Sequence, residues 1–274
     1  MSSFKAYIHI TRGELRTLIE EAHKRGLKVT GHLCSVTFPE AAELGIDNLE
    51  HGFAVNTEAI PEKKPDVCPP NGFDGLANVN VAGKTVQSLI HLLVQRHVAI
   101  TSTLAVFEQY VANRPPLQQR VLDAMSSQSQ TSCLAQRRRV TANNSFADSF
   151  NKEMQLERAF VKAGGLLLAG SDPTGNGCVL GGFGTQREVE LLVEAGFTPV
   201  EAIRIATANG ADFLGESARI GTLVSGKQAD LVVVHGDPSF QIEDIEKVEI
   251  VFKNGVGYDA TALIKSVRGM VGLR

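Results

Sequence analysis

Short apolar runs alternate with longer amphipathic stretches along most of this 274-residue chain. Residues 4–10 (FKAYIHI) alternate large apolar and polar positions, the period of a strand. Thr11 and Glu14 then have capping-box spacing, in which a hydroxyl and a carboxylate satisfy the free amides at a helix start. That helix runs to about Lys24 and is stopped by Gly26. Residues 27–32 form the next strand. Thr37, Pro39 and Glu40 open a second capped helix, which ends at Gly45, and residues 46–51 are a third strand. Residues 53–82, rich in Pro and Gly, break the rhythm and read as a long lid or mobile segment. A helix over 85–95 and a strand over 98–104 follow. Residues 105–145 are a polar insertion, helical in part. Residues 146–163 carry Phe150, Met154, Leu156, Phe160 and Val161 at helical spacing. Gly164 and Gly165 end that helix, and a fifth strand runs to Gly170.

Residues 181–184 (GGFG) read as a flexible loop before a helix over 185–195. Thr198 and Glu201 make a third capping box, for a helix to 209 or 210, and a short helix covers 211–214. After Gly215 the pattern changes. Residues 219–223, 229–235 and 248–253 are strand-like and separated by turn signals, which predicts a small β annex. Residues 261–274 read as a short helix followed by disorder. The expected domains are therefore 1–215, 216–260 and a tail, 261–274.

Strands alternating with helices imply a parallel sheet covered by helices. Five such units are counted, against eight in a closed barrel. The predicted fold is α/β, a partial TIM-type (β/α)8 barrel with a β-sandwich annex. An open doubly wound sheet is the rival. It would normally carry a Gly-rich phosphate turn after its first strand, and no G-x-G-x-x-G or P-loop motif is present.

Three of the predicted strands end in groups that bind metals. Residues 27–32 (LKVTGH) end at His32, 46–52 (IDNLEHG) at His51, and 165–173 (GLLLAGSDP) at Asp172, followed by Thr174 and Gly175. Catalytic groups in parallel barrels sit where strands pass into loops. Two imidazoles and a carboxylate suit zinc, manganese, iron, cobalt or nickel. Taken singly, each histidine also fits a hydrogen-bonded core position, and Asp172 fits a turn. Lys5 lies inside the first strand. It reads as an edge-strand charge or, in another barrel chemistry, as a Schiff-base lysine, which the neighbouring metal-ligand pattern disfavours. Tyr7 fits either substrate contact or strand packing.

Composition adds exclusions. A net charge of −3, from 27 basic and 30 acidic residues, gives no basis for nucleic-acid binding. No apolar run reaches membrane-spanning length, and the N-terminus does not read as a signal peptide. Cys34, Cys68, Cys133 and Cys178 form no close pair, which favours ordinary packing and a reducing, cytoplasmic setting.

At these residues the chain resembles the amidohydrolase superfamily, and more closely its imidazolonepropionase- and prolidase-like branch. Residues 4–7, 28–32, 49–52 and 169–173 carry the likeness, together with 198–209 (TPVEAIRIATAN) and 220–234 (IGTLVSGKQADLVVV). The resemblance implies a metal centre at the mouth of a barrel, with these strands as four to eight. Lys5 would be a carboxylated lysine bridging two metals, zinc first among the candidates. His32 and His51 would bind the second metal. Asp172 would bind the first metal and act as general base and acid, and Tyr7 would contact substrate. The implied activity is hydrolysis of an amide-like C–N bond in a small molecule such as a dipeptide or cyclic amide. The family's first-strand His-x-His pair is absent from these residues. The expectation is thus the C-terminal part of a longer enzyme, with poor turnover alone. A non-catalytic scaffold that keeps the fold is the alternative. An open sheet edge or a shared annex would favour a homo-oligomer.

Overall fold

The computed structural model describes residues 3–141, 146–173 and 178–272. In chain order β1 (Ser3–Ala6) leads into α1 (Arg12–His23), β2 (Lys28–Gly31), α2 (Phe38–Leu44) and β3 (Asn48–Glu50). Then come α3 (Lys84–Gln95), β4 (Ala99–Ser102), α4 (Leu104–Phe107), α5 (Gln119–Ala124), α6 (Ser127–Thr141), α7 (Ala147–Lys162) and β5 (Leu167–Ala169). The chain continues through α8 (Phe183–Glu194), α9 (Pro199–Ile205), α10 (Ala208–Phe213), β6 (Leu231–Val234), β7 (Val248–Lys253), β8 (Val256–Asp259) and α11 (Ala260–Ser266). Two compact units result. One comprises Met1–Thr103 and Asp148–Leu168, the other Leu104–Ala147 and Ala169–Arg274.

The first unit is built on a five-stranded sheet in the sequential order β1-β2-β3-β4-β5. The pairings β1–β2, β2–β3 and β3–β4 are parallel. A doubly wound sheet would reverse its strand order at a switch point. This sheet does not, and its helical connections run in one sequence along it. The capping boxes at Thr11 and Thr37 form as the spacing predicts. Each such cap stabilises its helix by about 1 kcal/mol. Val29, Leu49 and Ile100, one from each central strand, are fully buried, as are Leu15 of α1, Phe38 of α2, Leu93 of α3 and Phe160 of α7. The other face of the same strands is polar. Thr30 and Asn48 are buried there, and Thr101 Oγ1 donates to Asn48 Oδ1 at 3.1 Å. The strands are therefore not apolar on both faces.

Residues 53–82 do not behave as a loose lid. Cys34 forms a disulfide with Cys68. Arg12 grips Asp66 through its backbone amide (2.7 Å) and through Nε and Nη2 (both 3.1 Å). Lys63 Nζ donates to the Ser35 carbonyl at 2.6 Å, and Thr57 Oγ1 to the Cys34 carbonyl at 2.9 Å. Length and Pro content suggested mobility, but the cross-chain contacts that fix the segment come from residues 12–35 and leave no local sequence signal.

The second unit holds a three-stranded antiparallel sheet, order β6-β7-β8, and the helices α4–α6 and α8–α11. Several sequence expectations change here. Leu104 begins α4 rather than ending a strand, because a short apolar run fits helix and strand alike. Phe183 and Gly184 already belong to α8. Residues 219–223 form turns, not a strand; a Cβ on Gly221 would stand 2.5 Å from the Ala211 Cβ, so this segment is pressed against α10. β8 supplies the third annex strand instead. The tail is ordered through Gly272: Val271 N donates to Ala124 O, and Ser126 N to Val271 O, both at 2.9 Å. Cys133 and Cys178 form a second disulfide. All four cysteines are thus paired, at separations of 34 and 45 residues that spacing alone could not connect. Thr174, Gly175, the last part of the 105–145 insertion (142–145) and the end of the tail (273–274) lie outside the described residues. Among the described residues no helix is long and apolar enough to cross a membrane.

A buried ion network organises α8. Glu108 accepts from Arg187 Nη2 at 2.7 Å and from Arg114 Nε at 2.9 Å, and Arg187 Nη1 also reaches Glu190 at 2.7 Å. Burial raises the Glu108 pKa, but the two guanidiniums outweigh it and hold the carboxyl below its usual range. Glu190 is pushed up to about 7, first by burial and then by its hydrogen bond to Glu246, against the pull of Arg187. Glu246 sits on the turn Ile242–Glu246 and is held low: the bond from Glu190, the Gln118 amide and Arg120 at 2.9 Å outweigh burial. The folded state therefore binds the Glu190 proton more tightly than the unfolded chain does. The resulting stability is fully present below the ordinary value of 4.5 and is lost as pH rises through about 7. The melting temperature should fall by roughly 3–5 °C between pH 6 and pH 8. Calorimetry of Glu190→Gln should show that fall abolished; an unchanged fall in the variant would remove Glu190 as its source.

Candidate functional site

Side chains alternate along a strand, so register decides which residues meet. Lys5 is paired with Thr30, and Thr30 with Asn48, forming one row on the polar face of the sheet. Two residues further on, Tyr7, His32 and Glu50 continue that face toward the C-terminal strand ends. The side chains agree. The Tyr7 and His32 rings meet edge-on with centroids 5.0 Å apart, and Lys5 Nζ lies 3.9 Å from Glu50 Oε2. Lys5 stands on the edge strand β1 with 46% of its side chain exposed, so the edge-strand charge anticipated from the sequence describes its present environment.

Simple alternation would turn His51 away from this face. The backbone corrects that. His51 has φ 70° and Gly52 φ 60°, two successive left-handed residues immediately after β3. A non-glycine residue pays roughly 1–2 kcal/mol in that region. The turn brings the His51 ring to 4.3 Å from the His32 ring, centroid to centroid, at 67°. It is held on both sides: Gly52 N donates to Thr101 O at 2.8 Å, and Phe53 N to Glu153 Oε1 at 2.8 Å. His51 is buried, and its Nδ1 is hydrogen bonded to Thr103 Oγ1 at 3.0 Å. His32 is half-buried.

The donor chemistry at this place fits a divalent cation. Two imidazoles from the ends of adjacent strands converge, and with Nδ1 of His51 occupied by its bond to Thr103 Oγ1, Nε2 is the nitrogen that a metal would take. Among the described residues no group of three His, Cys, Asp or Glu side chains converges as a metal site. The third donor anticipated here, Lys5, is of none of those types. As an ammonium it pairs with Glu50 and cannot ligate. As a carbamate it offers two oxygens and reverses its charge toward Glu50, an arrangement that a cation between them favours.

Asp172 belongs to the second unit. It lies three residues beyond β5, is half-buried, and has φ 35°. Left-handed backbone in a non-glycine residue marks a locally strained turn of the kind found at functional sites. Sequence reasoning overlooked Thr103, Glu153 and Phe73. Thr103 follows β4 by one residue, so the same strand-end rule that selected His32 and His51 points to it. Glu153 and Phe73 reach the site from α7 and from the 53–82 segment, and only tertiary packing reveals them. The Phe73 ring meets His32 with centroids 6.2 Å apart.

Comparison with known proteins bears on this arrangement. The profile described as "Amidohydrolase family" matches residues 5–257. No curated protein sequence matches the chain. Among solved structures, bottromycin amidohydrolase is similar at TM-score 0.67 and 19% identity, covering 97% of this chain and 59% of that one. A Xaa-Pro dipeptidase with methionine bound in its active site is similar at TM-score 0.62 and 19% identity, covering 94% and 54%. A prolidase complexed with N-methylphosphonate-L-proline is similar at TM-score 0.58 and 18% identity, covering 91% and 49%. At these identities the likeness is one of fold. The chain spans about half the length of the structures it matches.

Proposed function

Because the chain belongs to the amidohydrolase family, we propose that it serves the hydrolysis of amide-type C–N bonds in small molecules, with a divalent metal held by His32, His51 and a carboxylated Lys5. The convergence of the two imidazoles through the left-handed turn at His51 is the observation that carries this reading. Zinc is the first candidate, and manganese, iron, cobalt and nickel suit the same donors. A metal there supplies Lewis acidity toward the scissile carbonyl and the attacking water.

The chain's own residues do the rest. Thr103 orients the His51 ring through Nδ1. Glu153, through the Phe53 amide, holds the turn that aims the ring. The family resemblance assigns to Asp172 the role of accepting the proton of the attacking water on its carboxylate and returning it to the departing amine. Tyr7, edge-on to His32 and half-exposed, presents its phenol to bound substrate. The two disulfides favour an oxidising setting over the cytoplasmic one that cysteine spacing implied.

Dipeptides ending in proline are the first substrates to try, since two of the similar structures are described as a prolidase and a Xaa-Pro dipeptidase. Amino-acid release should be measured with zinc or manganese present and after chelation, the chelated sample being the reference so that slow turnover is still read. The expected result is at least a ~100-fold loss on chelation, restored by adding metal back. Hydrolysis indifferent to chelation would contradict the proposal.

A further inference from the structure

We infer that Phe73 is a specificity-determining residue, placed beside the histidine pair by the Cys34–Cys68 disulfide, and that the site accepts amides bearing an aromatic or large apolar group next to the scissile bond. The inference rests on the metal-site reading above and goes on to the substrate's chemistry.

Three observations carry it. First, His32 is flanked by two aromatic rings, Tyr7 at 5.0 Å and Phe73 at 6.2 Å between centroids, both edge-on. Tyr7 and Phe73 are 58% and 56% exposed, so each still offers surface beside the candidate ligand. Exposed aromatic side chains next to a polar centre are an uncommon use of large apolar residues, and they suit an apolar group docking against them. Second, Phe73 is held in place. A Cβ added to Gly72 would lie 2.8 Å from Cys34 Sγ, 3.3 Å from the Pro69 carbonyl oxygen and 3.5 Å from Cys68 Sγ, so the backbone just before Phe73 rests on the disulfide itself. Third, Cys34 is only two residues beyond His32. One cross-link therefore fixes both the strand end that carries His32 and the loop that carries Phe73. The Arg12–Asp66 fork and the Lys63–Ser35 bond hold the rest of that loop and do not depend on the disulfide.

The test uses two zinc-directed probes that differ only in their apolar part, acetohydroxamate and 3-phenylpropionohydroxamate, titrated calorimetrically into the zinc-loaded chain. The phenyl compound should bind about 10-fold tighter. Phe73→Ala should bring the ratio of the two affinities close to 1, and so should Cys68→Ser, which leaves the ring intact but unties the loop. Zinc content is measured on every sample. A chain that carries zinc and binds both hydroxamates with equal affinity overturns this inference alone, as does a ratio of about 10 that survives both substitutions. A chain that takes up no zinc and binds neither probe overturns the metal-site reading, and this inference with it.

Discussion

Gly52→Ala destabilises the fold by at least about 3 kcal/mol, far more than a glycine-to-alanine change at an ordinary left-handed position. Two costs add at this residue. Its φ of 60° strains any side chain, at about 1 kcal/mol. The new Cβ would also stand 1.8 Å from Glu153 Oε1, 2.7 Å from the Glu153 carboxyl carbon and 2.9 Å from Glu157 Oε1. Both glutamates are buried on α7 and have no solvent to retreat into. Relieving the overlap means moving the Glu153 carboxylate and losing its bond from the Phe53 amide. Gly26 separates the two costs: its φ is 66°, but a Cβ there meets nothing within 4 Å. Gly26→Ala should therefore cost about 1 kcal/mol in denaturant titrations, and Gly52→Ala at least about 3. Equal losses would mean that the His51–Gly52 turn is not packed as described. The effect bears on function because the same turn aims His51 at His32.

Replacing His32 and His51 together by alanine lowers zinc affinity by at least about 10³-fold. Zinc is held by a few short bonds, so two lost nitrogen donors leave Lys5 alone, and a lone lysine side chain does not compete with water for the ion. The single variants should fall between wild type and the double variant. Thr103→Val should cost roughly 10-fold or somewhat more, because it removes the partner of Nδ1 without touching a ligating atom. That graded order, Thr103 below either histidine and each histidine below the pair, is what a ligand shell with a supporting shell produces. Surface histidines binding adventitiously would show no effect at Thr103.

Much of this site could be read from local pattern. Three capping boxes, at Thr11, Thr37 and Thr198, fixed where helices begin, and their Thr and Glu side chains do what the spacing requires. Apolar runs ending at His32, His51 and Asp172 marked strand ends, because a strand buried by helices has few other ways to finish. The strands are shorter than the runs, since flanking residues such as Leu27 and Ile46 pack without joining the ladder. What local pattern could not show was anything depending on a distant partner. The two disulfides join cysteines 34 and 45 residues apart. The rotation of His51 onto the His32 face depends on two positive φ values and on Glu153, 102 positions after His51 in sequence (153 − 51). The pinned loop that carries Phe73 reads as mobile until Arg12, Ser35 and Cys34 are seen against it.

If His32, His51 and Lys5 form a metal centre, the zinc bound per chain must depend on the two histidines. Wild-type protein and the His32→Ala/His51→Ala variant would be dialysed side by side against the same micromolar zinc, then passed to elemental analysis. Close to one zinc per wild-type chain is expected and almost none in the variant, with both remaining folded by circular dichroism. Equal zinc in the two proteins, or none in either, would contradict it.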